Sequence, residues 1–557
     1  MAMPILSVLI FLPLAASLLI VLLPNQYKST YKLLTVAVCA IELALAWQTY
    51  VSFDKLAPDF QLVENFDWIT FSLGNLGKVS IDYLLAVDGL NMPMVLLTTI
   101  VMLAGAISSF EIKTKEKAYY SLYLLLMCSI IGCFVALDLF LFFLFFEFML
   151  LPMYFLIGLW GGPRREYASI KFFIYTLVGS ILILLVMIGL YNSVIDPVET
   201  ALEIGLIADK KAITSEIYQT VQTLLLENKI ESHQLVHTFA LNYLGDSGNF
   251  IPGSLLNVAS SHELFGLPAR TLAFALLFLG FAVKLPMVPL HTWLPDAHVE
   301  APTPISVVLA GILLKVGGYG FFRIAYDLFP DAAVSASVWV AALGMISVIY
   351  GALNALAQQD LKRLIAYSSV SHMGFVLIGL ASLTPEGWNG ALFQLFSHGI
   401  LSAMLFLIAG VVYERTHDRR LDSYQGLVNK MPYYTTLTGI AFFGSLGLPG
   451  LSGFIGEFFS VMGGFNSPFL PSWLAALSTL GIVLAAGYFL WSFQRMFFGK
   501  FWVREHDPAL LTDLQRREKL MLIPLGILAI LFGIMPNLLF DVTSPTVIAF
   551  LQRIIGN

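Results

Sequence analysis

The stretch FAVKLPMVPLHTWLPDAH, Phe281 to His298, is apolar enough at its start for a bilayer, yet it carries Lys284 and then Pro286 and Pro289. A proline inside a helix removes a backbone donor and clashes with the preceding turn, so a helix entering here must break. Irregular backbone at membrane depth is tolerated only where protein encloses it or a hydrated cavity serves it. A lysine just ahead of such a break is therefore a candidate functional group.

The surroundings decide whether this is a membrane segment. Of 557 residues, 58% are hydrophobic and 12% charged, against roughly 25% charged in a soluble domain. Apolar runs of about 20 residues, the length that crosses a ~30 Å hydrocarbon core, recur along nearly the whole chain. Period-two alternation is not the pattern, which excludes a β-barrel. The reading is an all-α polytopic membrane protein with about fourteen spans, at 3–23, 30–52, 82–108, 118–137, 139–160, 168–192, 270–290, 302–325, 334–357, 364–382, 389–413, 433–463, 472–496 and 519–540. The first run lacks a basic leader and a small-residue cleavage site, so it reads as a retained span.

Loop charge orients the bundle. With both termini outside, the inner loops collect 20 of the 30 basic residues, whereas the outer segments 53–80 and 193–269 are rich in Asp and Glu. That is the positive-inside asymmetry. Cys39, Cys128 and Cys133 lie in apolar runs with no companion ligands and read as packing residues.

A second broken segment, GSLGLPGLSGFIGEF from Gly444 to Phe458, falls in the twelfth span, five spans after the first. Discontinuous helices five spans apart are what two inverted five-helix repeats produce, spans 4–8 opposed to spans 9–13. The expected organisation is 1–110 (three helices), 111–330 (first repeat, with the polar outer insert 193–269), 331–500 (second repeat) and 501–557 (inner loop and a fourteenth helix). Within the insert, TSEIYQTVQTLLLENKI reads as an amphipathic surface helix.

Six ionisable residues fall inside apolar spans: Glu147, Lys284, Lys315, His372, His398 and Glu457. A charge at the bilayer centre costs roughly 2.5–3.5 kcal/mol on insertion scales. The Glu147/Lys284 pair can be read as a structural tie fixing helix register. His398 alone can be read as an interhelical hydrogen bond. Together the six read as protonatable stations across the bundle, with broken helices supplying hydrated backbone between them. His291, Asp296 and His298 are assigned to an inner turn, either as an inner-side proton uptake site or as caps of two helices. Glu42 is read as a possible subunit contact and Asp138 as an outer turn.

The segments LFFEFMLLPMYFLIGLWGG, FAVKLPMVPLHTWLPDAHVEAPTPISVVLAGILLK, QQDLKRLIAYSSVSHMGF and LGLPGLSGFIGEF resemble the antiporter-like membrane subunits of respiratory complex I, the proton-translocating NADH-quinone oxidoreductase. The resemblance covers the chain except 193–269. It is nearest to the M branch, counterpart of the fourth mitochondrial NADH dehydrogenase chain, because span twelve carries Glu457 where the L and N branches have lysine, and because no long lateral helix is expected after span fourteen. The resemblance implies proton transfer through Glu147, Lys284, Lys315, His398 and Glu457, with His372 at a tenth-span position. It implies a bacterial inner membrane location with periplasmic termini, and partners among the other membrane subunits, especially L and N, with lipid around them and no nucleic acid. It also implies no cofactor or metal in this chain, with NAD, FMN, iron-sulfur clusters and quinone handled by partner chains. Three alternatives remain at this level: a subunit of a multisubunit cation/proton antiporter, a non-conducting structural subunit, and the membrane arm of a related membrane-bound hydrogenase.

Overall fold

The computed structural model describes residues 4–72, 74 and 77–556. Among them, twelve helices are long and apolar enough to cross a membrane. The first six, from Ile5–Leu22 to Arg165–Tyr191, coincide with the expected spans apart from their ends. The two broken segments are present as expected. Helix Ala269–Lys284 stops at the lysine, the chain continues extended through Leu285, and helix resumes at Trp293–Glu300. Helix Pro432–Ser445 likewise stops before a glycine-rich turn and resumes as Ser452–Asn466. The breaks fall at the fourth position of each five-helix set.

Two helices form the centre. Thr303–Leu328 and Pro385–Thr416 have their most apolar windows wholly enclosed by protein. The first is not regular: widened π turns at Leu309–Leu313 and Phe321–Ala325 bracket Lys315. Such turns leave carbonyls without their usual partner and often mark functional positions.

Three features differ from the sequence reading. The expected third span, 82–108, begins as a strand: Gln61–Ser72 pairs antiparallel with Lys78–Val87, and helix starts only at Met92. The second strand is buried nearly throughout, so its apolar run carries no period-two signal to separate it from helix. Strand Val236–Thr238 of the insert joins it in parallel, making a three-stranded sheet.

The insert also has a small core of its own, from Ile195, Ala201, Ile207, Val221, Leu225 and Leu235. Its amphipathic helix, Ser215–Leu226, is capped by the Thr214 hydroxyl and turns Val221 and Leu225 inward.

The third difference is at the C-terminus. The expected helix 519–540 is instead Arg516–Ile534 followed, across Pro536, by a second helix, Asn537–Gly556. A residue preceding proline is biased away from helical geometry, which explains the break at Met535. The extra helix does not extend the bundle. It lies over one end of other helices: Thr543 donates to Asn389 at 2.6 Å, the Gly89 amide donates to Thr546 at 3.1 Å, and Arg553 pairs with Asp327 at 3.3 Å.

Candidate functional site

Lys315 and His398, on the two enclosed helices, meet His372 of helix Leu361–Ala381 and Glu457 of helix Ser452–Asn466, so four of the six expected residues form one file. The π turn at Leu309–Leu313 presents the Ala310 carbonyl to Lys315, whose Nζ donates to it at 2.6 Å. The same Nζ lies 2.8 Å from His398 Nδ1. Where the lysine donates, Nδ1 accepts and the ring proton sits on Nε2. The rings of His398 and His372 have centroids 5.6 Å apart. His372 Nδ1 in turn lies 2.9 Å from Glu457 Oε1. Lys315 is fully buried and Glu457 is 1% exposed, so the file lies inside protein throughout. Gln394, one turn before His398 on the same helix, approaches His372 Nδ1 at 3.5 Å.

The other two expected residues form a separate group. Lys284 closes its helix, where the partial negative charge of the last carbonyls favours a cation. Its ammonium sits 4.2 Å from the centroid of the Phe146 ring, a cation–π contact. Glu147 ends helix Leu139–Phe148, next to Phe146 in the chain. The expected Glu147/Lys284 contact is not made: no ion pair within 4.0 Å joins them among the described residues, and Lys284 Nζ and Glu147 Oε1 have no hydrogen-bond partner. The aromatic ring occupies the lysine instead. What couples this group to the central file is backbone packing. A Cβ on Gly317 would lie 2.6 Å from the Leu285 amide nitrogen and 3.0 Å from Lys284 Cβ, so the helix of Lys315 presses directly on the break beside Lys284.

The inner-turn residues are not in an open loop. His298 is fully buried, stacked on Phe406 at 4.5 Å, with both ring nitrogens unpartnered. His291 is 3% exposed, edge-on to Tyr350 and Tyr367. Asp296 lies within helix Trp293–Glu300 and bridges Lys171 at 2.8 Å and Arg363 at 3.6 Å. Glu42 is buried against its own chain with both carboxylate oxygens unpartnered. Asp138 is the cap of helix Leu139–Phe148, accepting from the Leu141 amide at 2.9 Å.

Among the buried charges that the sequence reading passed over, two basic residues had been counted with the loops. Lys362 is 2% exposed and donates to the Ala301 carbonyl at 2.9 Å. Arg323, fully buried, pairs with Asp88 and lies among the rings of Phe60, Tyr319 and Phe550. The available signal was proximity: both basic residues stand within a few positions of apolar runs.

Residues 136–226 and 204–485 match the family described as NADH:quinone oxidoreductase/Mrp antiporter, TM. A chain named NADH-quinone oxidoreductase subunit M from Rickettsia bellii is 38% identical over 97% of this chain and 97% of its own length. The chain of the same name from Rhodobacter capsulatus is 38% identical over 98% of this chain and 96% of its own length. A chain of respiratory complex I from Thermus thermophilus superimposes with a TM-score of 0.76 at 29% identity, covering 99% of this chain and 100% of that one. With both broken helices and the buried charged file in place, this chain belongs to the subunit M family of NADH-quinone oxidoreductase.

Proposed function

We propose that this chain is the proton-translocating membrane subunit of an NADH-quinone oxidoreductase. NADH oxidation and quinone reduction, with their FMN and iron-sulfur clusters, take place in partner chains, among which the L and N subunits are neighbours in the membrane. The chain crosses a bacterial inner membrane fourteen times with both termini outside.

The observation that carries the reading is the unbroken sequence of contacts from Lys315 through His398 and His372 to Glu457, enclosed at mid-bundle. Each member can hold or release a proton, and each step is within reach of a side-chain rotation or one water. Lys284 is the loading station. Its proton affinity depends on what stands near it, and the Phe146 ring and the Glu147 carboxylate are two alternative partners. Movement of Lys284 between them changes whether it keeps its proton. A released proton passes to Lys315, along the two histidines, and out from Glu457. Moving one charge against 100 mV requires about 2.3 kcal/mol, comparable to a desolvated cation–π contact of about 2 kcal/mol.

The test is NADH-driven acidification of vesicles holding the assembled complex with Lys284→Ala or Lys315→Ala. The expected result is full assembly with pumping reduced well beyond any loss of NADH oxidation. Normal pumping in both variants would reject the file as the conducting route and favour a structural role for the buried charges.

A further inference from the structure

At the basic end of the bundle, away from the proton file, helices Ile5–Leu22, Lys28–Ser52 and Glu116–Val135 and the end of Leu150–Trp160 enclose a cavity of about 770 Å³. Its rim carries Lys28, Lys113, Lys115 and Lys117, and its wall includes Leu122 and Phe155. None of the four lysines makes an ion pair within 4.0 Å or a side-chain hydrogen bond among the described residues; Lys32, just outside the rim, takes the one acidic neighbour, Glu116, at 3.3 Å. Two helices begin at the rim, at Lys28 and at Glu116, neither with a side-chain cap, and a helix start carries partial positive charge. The floor is held in place: Ser17 donates to the Ser121 carbonyl at 2.8 Å, and Trp160 donates to the Thr114 carbonyl at 2.7 Å, pinning the lysine-bearing turn.

We infer that this cavity is a binding site for an anionic phospholipid, whose phosphate sits among the four lysines and the two helix starts while an acyl chain lies along Leu122 and Phe155. The charge is complementary, with four unpaired cations against one already neutralised carboxylate. The lining changes from basic to apolar along the direction in which a membrane lipid changes from headgroup to chain. Basic pockets between spans on the cytoplasmic side bind anionic headgroups by this logic. The inference needs only the membrane orientation of the bundle, so the fate of the proton file does not bear on it.

The test uses the assembled complex in phosphatidylcholine vesicles containing a trace of photoactivatable phosphatidylglycerol, or of photoactivatable phosphatidylcholine, with the label mapped by peptide mass spectrometry. One lysine near an anionic headgroup is worth about 1 kcal/mol, a factor of about five. Labelling within 113–122 is therefore expected to favour phosphatidylglycerol at least about fivefold. It should fall to the phosphatidylcholine level in Lys113→Gln/Lys115→Gln/Lys117→Gln and remain in the control Lys500→Gln/Arg516→Gln. Equal labelling by the two lipids, or labelling unchanged in the triple variant, overturns the inference. So does displacement of the label by inorganic phosphate, which would make this a free-anion site. Cross-linking of Lys113 to an acidic segment of a neighbouring subunit in place of lipid overturns it as well.

Discussion

At the scale of single residues, the contact between His372 and Glu457 separates holding a proton from holding a position. Glu457→Gln keeps an acceptor for His372 Nδ1 but cannot take up a proton. The expected outcome is a complex that assembles and oxidises NADH while its vesicle acidification falls about a hundredfold or more, the size typical of losing a positioned proton-transfer group. Retained acidification would move the outlet elsewhere. Asp88 makes the opposite kind of test. Removing one partner of a buried ion pair strands the other, at about 3–5 kcal/mol, so Asp88→Ala should leave Arg323 uncompensated and sharply reduce the yield of assembled complex on native gels. Lys284, Lys315 and Glu457 were legible in the sequence because a charge within an apolar run is costly and visible. Lys362 and Arg323 were not, because their burial depends on neighbouring segments folding back over them. Nor did spacing along the chain reveal that Lys284 rests on Phe146 rather than on Glu147, since the ring and the carboxylate are adjacent residues.

Among the elements, the breaks were readable from Pro286, Pro289 and the glycines after Gly444, since proline and glycine act on the backbone locally. What no local signal conveyed is how tightly the break at Lys284 is clasped. A Cβ at Gly317 would meet the backbone at Leu285 and the Phe281 carbonyl oxygen, the latter at 2.9 Å, and backbone cannot rotate aside. Gly317→Ala should therefore destabilise by about 1–3 kcal/mol, the usual cost of overpacking, read as a lower melting temperature of the purified complex. Pumping should fall more than NADH oxidation, because Lys284 is displaced with its backbone.

The insert allows a pH test. Asp196 caps helix Pro197–Glu203 through the Val198 and Glu199 amides, at 2.8 and 2.9 Å. Burial pushes its carboxyl up to about 7, with Asp82 and Glu199 adding to the rise against those amides. The unfolded carboxyl titrates near 4. Between about 4 and 7 the folded insert thus holds a proton that the unfolded segment has lost, and its stability declines as pH rises through that window. Proteolysis within 197–226 should be faster at the upper end of the window once protease activity is normalised. Asp196→Asn, which retains a capping side chain, should flatten that dependence. The hairpin and the insert strand were missed for a physical reason: Lys78–Val87 is covered on both faces and so looks like the start of a span.

On the scale of the whole molecule, the apolar exterior and the enclosed pair of central helices follow from hydropathy and loop charge. The C-terminal helix Asn537–Gly556 does not, because its composition would suit a crossing. Its contacts reach Gly89 and Asn389, on the third and eleventh expected spans, and Asp327, just past the eighth, and Phe550 packs on both Trp388 and Arg323. Ending the chain after Pro536 should weaken this end of the bundle, seen as faster hydrogen exchange near Asp327 in Thr303–Leu328 and near Asn389 in Pro385–Thr416. A cross-brace at one end also limits the kind of machine this can be. Carriers that tilt one half against the other must open a cleft at each mouth in turn. A girder tied at Gly89, Asp327 and Asn389 resists tilting of those segments against one another, so the proposed proton file would work by small swings of side groups within a stationary frame.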